Sequence, residues 1–317
     1  MKVGTPIRIL IVGHGIIGTI YGWALRTAGH EVIHFVRSGK SKELPREVTI
    51  DILDERKNHK KNNVTNYVVD YVEYVNRDQS FDYILVPTNS YQVIDATKTL
   101  FEQSPNSFFL IMSSNWEGTG EIDQILPKKQ YALAYPDAGG TLRDGIFWTN
   151  LGAEIHIAAP DSENNQGVNG LIEVFKQADI KSDLQENMLH WLWLHNATTI
   201  PMWVAFFKYK DVNKFLKDKD LVKASFYATR ELLELCQLRG VDVSKYPEVS
   251  AFRYPFRVFY FIFKMLFKFN KSMQRFTAHG ATSVEESKAN YKQMMKTARE
   301  LEFNMPLMES IGAYLPS

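Results

Sequence analysis

The chain of 317 residues has one cysteine, Cys236. A single thiol excludes an intrachain disulfide and any zinc knuckle built on paired cysteines, so no metal is expected and a reducing compartment is the simple reading. Net charge is also missing: 37 Lys and Arg face 36 Asp and Glu. Nucleic acid is therefore not an expected partner. No apolar run reaches the roughly eighteen residues of a membrane span, and a bilayer is not an expected partner either. There is no internal repeat and no low-complexity linker. The first apolar run, residues 7–12, is too short for a signal-peptide core and leads straight into a turn, so the expected location is the cytoplasm.

What is present begins at residues 7–18, where an apolar strand runs into a GxGxxG turn at Gly13, Gly15 and Gly18. Glycine suits the tight turn at Gly13, the approach of backbone to a pyrophosphate at Gly15, and the packing of helix on strand at Gly18. The pyrophosphate would rest on the free N–H groups of the following helix. The motif alone is weak, because glycine is common in turns. Its context is stronger: Ile17, Ile20, Tyr21, Ala24, Leu25 and Ala28 recur at helical spacing, and residues 31–36 form a second apolar strand, which completes a βαβ unit within about thirty residues. That strand ends on Arg37. An acidic residue there would accept from the ribose of NAD, whereas Arg accommodates the 2′-phosphate of NADP, so the expected cofactor is NADP(H). A solvated charge at a strand end is the ordinary alternative.

The length predicts two domains. Residues 47–53 and 67–74 are expected strands, separated by a polar loop at 56–63. Residues 81–86 and 107–112 are expected buried strands, with a helix at 92–103 between them. The loops after these strands, at Thr88-Asn89 and Asn115, fall at the carboxyl edge of the sheet. Asn115 could hold a nicotinamide or a substrate carbonyl, since an amide both donates and accepts; a turn-forming asparagine is equally compatible. Alternation over 131–160 predicts short antiparallel strands around a turn at Arg143-Asp144-Gly145, and a helix is expected at 168–177.

Beyond residue 180 strand patterns give way to helices, expected at 184–207 with a kink at Pro201, at 218–239 and at 284–302. The fold class is thus α/β: an N-terminal Rossmann domain, doubly wound around a mostly parallel sheet, over residues 1–180, and an all-helical domain over 181–317. Residues 253–271 combine aromatic density with Arg253, Arg257, Lys264, Lys268 and Lys271. As a helix this stretch shows a basic edge beside a broad apolar face. Both a membrane-surface helix and a core helix with snorkelling lysines fit, and ordinary overall composition favours the core helix. Ser283 and Glu286 have the spacing of a capping box, in which the carboxylate only starts a helix.

The order of these parts resembles ketopantoate reductase (2-dehydropantoate 2-reductase). The resemblance rests on GHGIIG at 13–18, Arg37, LVPTNSYQV at 85–93, the Asn115 loop and RDG at 143–145 ahead of EIHIAAP. More weakly, residues 190–201 are similar to a family helix carrying WxKLxxNxxxNP, and Ser272-Met273 matches a pair ahead of the final helix. It implies cofactor binding by Gly13, His14, Gly15, Ile16, Ile17, Gly18, Arg37, Thr88, Asn89 and Asn115. It also implies catalytic roles for Asn115, Asn196 and Glu286 (Glu285 if the loop differs by one residue), and substrate binding by Ser272. The helical domain would serve substrate binding and dimerisation, giving a homodimer. Two positions depart from the pattern. The catalytic lysine reads Leu192, and a lysine common after the third-strand loop reads Asn89.

The first departure touches the chemistry. Hydride delivery to a 2-oxo acid leaves negative charge on the carbonyl oxygen, which needs a cation or proton donor. Leucine is neither, and His190, His195 and His279 are the nearby candidates. The expected function is NADPH-dependent reduction of a 2-oxo acid or related carbonyl compound. The alternative is an NADP(H)-binding sensor or partner-binding protein with little catalysis.

Overall fold

The computed structural model describes residues 6–56, 61–76 and 78–316. The chain divides into two compact units, Met1–Ser114 with Gly118–Met188, and Asn115–Glu117 with Leu189–Ser317.

The first unit is built on a ten-stranded sheet. Its strands are β1 (Arg8–Val12), β2 (Glu31–Phe35), β3 (Glu47–Asp54), β4 (Lys61–Val68), β5 (Tyr71–Val72), β6 (Tyr83–Val86), β7 (Phe108–Ile111), β8 (Tyr131–Arg143), β9 (Ile146–Ala158) and β10 (Lys181–Gln185). The strand order is β4-β3-β9-β8-β7-β6-β1-β2-β5, with β10 on β9. Among the described residues only the β3–β4 and β8–β9 pairs are antiparallel. The central strands read as unbroken apolar runs because helices cover both faces of such a sheet; Ile9, Leu10 and Ile11 are fully buried. The helices of this unit are α1 (Ile16–Thr27), α2 (Val93–Gln103), α3 (Gly120–Asp123) and α4 (Asn165–Gln177). Strand order reverses at β1, which lies between β2 and β6. That reversal opens a crevice at the carboxyl ends of the strands, where ligands of doubly wound folds bind. The expected doubly wound, mostly parallel sheet is present.

Three expected elements differ in detail. Residues 61–63, expected as part of a loop, open β4 and pair with β3 (Asn63 with Ile52, Asn62 with Leu53); a polar edge strand has one face in water and need not look apolar. The rest of that expected loop includes 57–60, which lie outside the described residues. The short strands expected after 131 are one long hairpin. Its two-residue loop, Asp144-Gly145, has positive φ at both positions (49° and 79°), the backbone that matches strand twist in a tight hairpin. Residues 184–185, expected as helix, end β10, which runs parallel to β9.

The second unit contains α5 (Met188–Phe206), α6 (Val212–Lys217), α7 (Lys219–Leu238), α8 (Phe256–Phe269), α9 (Lys271–Thr282), α10 (Val284–Glu300) and α11 (Pro306–Gly312), and no strand among its described residues. Pro201 sits inside α5 without ending it. Asp211 and Asp218 cap α6 and α7 by accepting from the N–H groups of Lys214 and Leu221, which satisfies donors the helix leaves free. Leu194, Ala197, Leu232, Leu235, Met294 and Met308 share one core. A second, aromatic cluster joins Phe206, Phe215, Phe226, Phe252, Phe256 and Phe259.

Candidate functional site

In the first unit the predicted cofactor residues gather at the carboxyl ends of three neighbouring strands: the glycine turn after β1, Arg37 after β2, and Thr88-Asn89 after β6. Gly13 has φ +84°, a left-handed conformation that L side chains rarely adopt. Its N–H donates to the Phe35 carbonyl (2.8 Å), tying the turn to β2. A Cβ built on Gly18 would lie 3.1 Å from Ile11 and 3.6 Å from Pro87, so glycine there lets α1 approach the sheet. Gly15 caps α1 with no side-chain bond, and no acid stands in the first helical turn. The N–H groups at Ile16 and Ile17 thus form a positive helix end that carries no side-chain counter-charge.

His14 is turned inward. Its ring meets Tyr71, Phe147 and His34 edge-on at 5.4, 5.3 and 5.7 Å, and burial pushes its pKa down to about 4. His34 supports the turn from below: Nδ1 is 2.7 Å from the Gly13 carbonyl and Nε2 is 3.0 Å from the Tyr67 hydroxyl. Burial holds it also near 4, so at neutral pH both rings are uncharged. Sequence reasoning missed this support. The available signal was a histidine in the middle of an apolar strand.

These residues fit a dinucleotide. Beyond Gly13 and Gly15 an added Cβ meets nothing within 4 Å, which leaves room at the helix end. The Thr88 hydroxyl is buried with no hydrogen-bond partner, a group that a ligand would satisfy. Arg37 is exposed. The Asn89 amide donates to Tyr91 (2.9 Å). The arrangement can bind a pyrophosphate at α1 and a further phosphate at Arg37.

The remaining predicted residues fall in the second unit. Asn115 precedes Trp116, which is 1% exposed in the helical core. The indole N–H of Trp116 donates to Thr297 (2.9 Å), and its carbonyl accepts from Arg239 (2.8 Å). The Arg239 guanidinium also lies over the rings of Trp116 and Trp193 at 4.6 and 3.4 Å. This anchor too went unread in the sequence, because a lone tryptophan in a loop carries no periodic signal.

Leu192 and Asn196, four residues apart on α5, share one helix face and are 1% and 3% exposed. His195, three residues after Leu192, neighbours that face and stacks on Trp191 at 5.1 Å. His190 points to the opposite side, against Trp193; desolvation and then the Arg239 charge lower its pKa. Of the two histidines on α5, His195 is therefore the one placed beside Leu192. The His279 side chain lies outside the described residues.

On α9 the Ser272 hydroxyl is buried and has no hydrogen-bond partner. Asn270 accepts from the Ser272 N–H (2.9 Å) and starts the helix. On α10 the capping box is not made, since the Ser283 side chain caps nothing. Glu285 is exposed and paired with Lys288 (3.0 Å), whereas Glu286 is half-buried. Desolvation pushes the Glu286 carboxyl up to about 7. A helix N-terminus favours the anion by about 0.3–1 kcal/mol, and a rise of this size outweighs that by roughly 3 kcal/mol of opposing desolvation. Burial thus favours the protonated form of the Glu286 carboxyl.

One further polar group, Glu154, His156 and Asp183, has the spacing of metal ligands. It consists of cross-strand pairs between β9 and β10, His156 with Asp183 (2.8 Å) and Glu154 with Lys181 (3.3 Å), which explains it without an ion.

Residues 9–157 match the family model described as ketopantoate reductase PanE/ApbA. A 2-dehydropantoate 2-reductase from Pyrococcus abyssi (strain GE5 / Orsay) is 25% identical over 242 residues, 74% of this chain and 75% of that protein. Three solved structures are similar in fold. The dimeric ketopantoate reductase of Staphylococcus aureus superposes with a TM-score of 0.69 at 12% identity, covering 97% of this chain and 96% of that one. A 2-dehydropantoate 2-reductase from Geobacter metallireducens gives 0.71 at 13% identity over 98% and 99%. A D-mandelate dehydrogenase in complex with NADH and anilino(oxo)acetate gives 0.74 at 11% identity over 98% and 97%. At such identities these structures speak for the fold alone.

Proposed function

We propose that the chain, whose residues 9–157 match the ketopantoate reductase PanE/ApbA family model, is an NADPH-dependent oxidoreductase that reduces a 2-oxo acid or related carbonyl compound in the cytoplasm. The observation that carries the reading is the glycine turn on an uncapped helix end, with Arg37 at the end of the adjacent strand. Gly13, Gly15, Gly18 and the backbone of His14, Ile16 and Ile17 would hold the pyrophosphate. Thr88 and Asn89 would border it, and Arg37 would take the 2′-phosphate. Support for NADP over NAD is Arg37 itself, exposed where NAD enzymes place an acid.

The reduced nicotinamide, when bound, supplies hydride to the carbonyl carbon. Asn115 and Asn196 would orient the carbonyl by donating amide N–H bonds. The free Ser272 hydroxyl would donate to the polar end of the substrate. Leu192 leaves no ammonium for the developing oxyanion, and Glu286 would take that part: as the carbonyl π bond breaks, its carboxyl proton passes to the oxygen, giving a hydroxyl group. The resulting carboxylate is reprotonated from solvent. An acid with a pKa near the working pH suits this transfer. Replacing lysine by leucine also makes ketopantoate itself a poor candidate substrate.

The test is a panel of 2-oxo acids assayed with NADPH and NADH, for the wild type and Glu286→Gln. Turnover with NADPH is expected, with kcat falling as pH rises through about 7. Glu286→Gln is expected to lower kcat by roughly 10²–10⁴ and to remove that limb of the profile. Tight NADPH binding with no turnover on any member would replace this reading by the nucleotide-binding protein that Leu192 also allows.

A further inference from the structure

α8 has two apolar faces. Phe256 and Phe259 are buried, and Tyr260, Phe263 and Phe267 pack against the aromatic cluster, which fulfils the core-helix expectation on that side. At 100° per residue, Val258, Phe261, Ile262, Met265, Leu266 and Phe269 lie on the opposite side. They are 41–67% exposed, with Phe261 and Phe269 the most open. Arg257, Lys264 and Lys268 line one border of this second face, all exposed. A contiguous exposed apolar face of this kind marks an interaction surface, which the core-helix expectation leaves unexplained.

Charge decides what the surface takes. Between Glu248 and Glu285 the sequence has no Asp or Glu, yet it contains Arg253, Arg257, Lys264, Lys268, Lys271 and Arg275. In a chain whose total charge is +1, this is a local concentration of one sign. A second copy of the chain would present the same acid-free face and so no negative partner for these cations. A surface that is negative outside and apolar beneath does match. No helix among the described residues is long and apolar enough to cross a membrane, so the fitting geometry lies in the plane of the bilayer.

We propose that α8 docks the protein on an anionic lipid surface, with Phe261, Ile262, Met265 and Phe269 entering the boundary of headgroups and acyl chains, and Arg257, Lys264 and Lys268 meeting lipid phosphates and carboxylates. Large aromatics on one face and lysines at its border are the features of helices that lie in this interface.

Full-length protein is tested by flotation with phosphatidylcholine vesicles, with and without phosphatidylserine, at low and high salt, with sedimentation velocity run in parallel. Binding is expected only with the anionic lipid and is expected to fall at high salt. Replacing Arg257, Lys264 and Lys268 by Gln should weaken it on the order of a hundredfold, at about fivefold per charge. Phe261→Ser with Phe269→Ser should abolish it; both rings are exposed, so folding is not at stake. Three outcomes overturn the proposal: no binding of the wild type, binding that survives both variants, or a concentration-dependent dimer that Phe261→Ser dissolves in the absence of vesicle binding.

Discussion

The glycine turn of the first unit and the polar residues of the second are held in different ways. The turn is fastened by hydrogen bonds to strands of its own sheet: Gly13 bonds Phe35 at the end of β2, and His34 on β2 links Gly13 to Tyr67 on β4. The polar residues are drawn from separate parts of the sequence, with Asn115 anchored through Trp116, Asn196 on α5, Ser272 on α9 and Glu286 on α10. A locally fastened site is sensitive to its own turn and strand. Residues spread over separate helices depend on the packing of those helices.

Trp116→Ala is the most severe break of this contrast. It removes a fully buried indole, its bond to Thr297 and one ring beneath Arg239. The expected loss is about 3–5 kcal/mol by urea denaturation. A loss under about 1 kcal/mol would mean that residues 115–117 do not belong to the helical core.

Acid should act on the first unit. His14 and His34 have pKa values near 4 when folded, against 6.5 unperturbed. The unfolded chain therefore binds more protons between these values, and stability present above pH 6.5 is lost as pH falls toward 4. The upper bound is roughly 3 kcal/mol per ring. Asp137, raised by burial to about 6, works in the opposite direction and partly masks the slope. His14→Phe, compatible with the aromatic surroundings, isolates the effect: the stability lost between pH 6.5 and 4 should shrink by up to roughly 3 kcal/mol, the share of one ring. An unchanged slope would show that these rings titrate freely.

The same contrast explains what was legible. The apolar runs of β1, β6 and β7 and the glycine spacing are local patterns, so the strand-turn-helix core and its carboxyl edge could be read directly. β4 could not, because an edge strand carries Asn and Lys as easily as a loop does. β10 was hidden by five residues of mixed polarity. In the second unit helical periodicity marked the long helices, but it is silent about which polar residues belong together. Asn196, Ser272 and Glu286 came only from resemblance, and neither the second apolar face of α8 nor the Trp116 anchor has a one-dimensional signal.

Arg37→Ala tests whether the first unit selects its ligand as well as binding it. The side chain is exposed, so its bond to a phosphate falls at the low end for charged partners. About a tenfold loss of NADPH affinity is expected, with little change for NADH. Equal losses in titrations of the two cofactors would remove the NADP assignment.

Ser283→Ala is the smallest effect and the sharpest for the second unit. If Ser283 and Glu286 formed a capping box, the substitution would cost about 1 kcal/mol and would change the environment of the carboxylate. The Ser283 side chain makes no such bond, and burial raises the Glu286 carboxyl. The full cost of a lost cap is therefore not expected, and the pH dependence attributed to Glu286 should be unmoved. A cost near the full cap value, with a shifted pH profile, would return Glu286 to the start of its helix and remove it as the proposed proton donor.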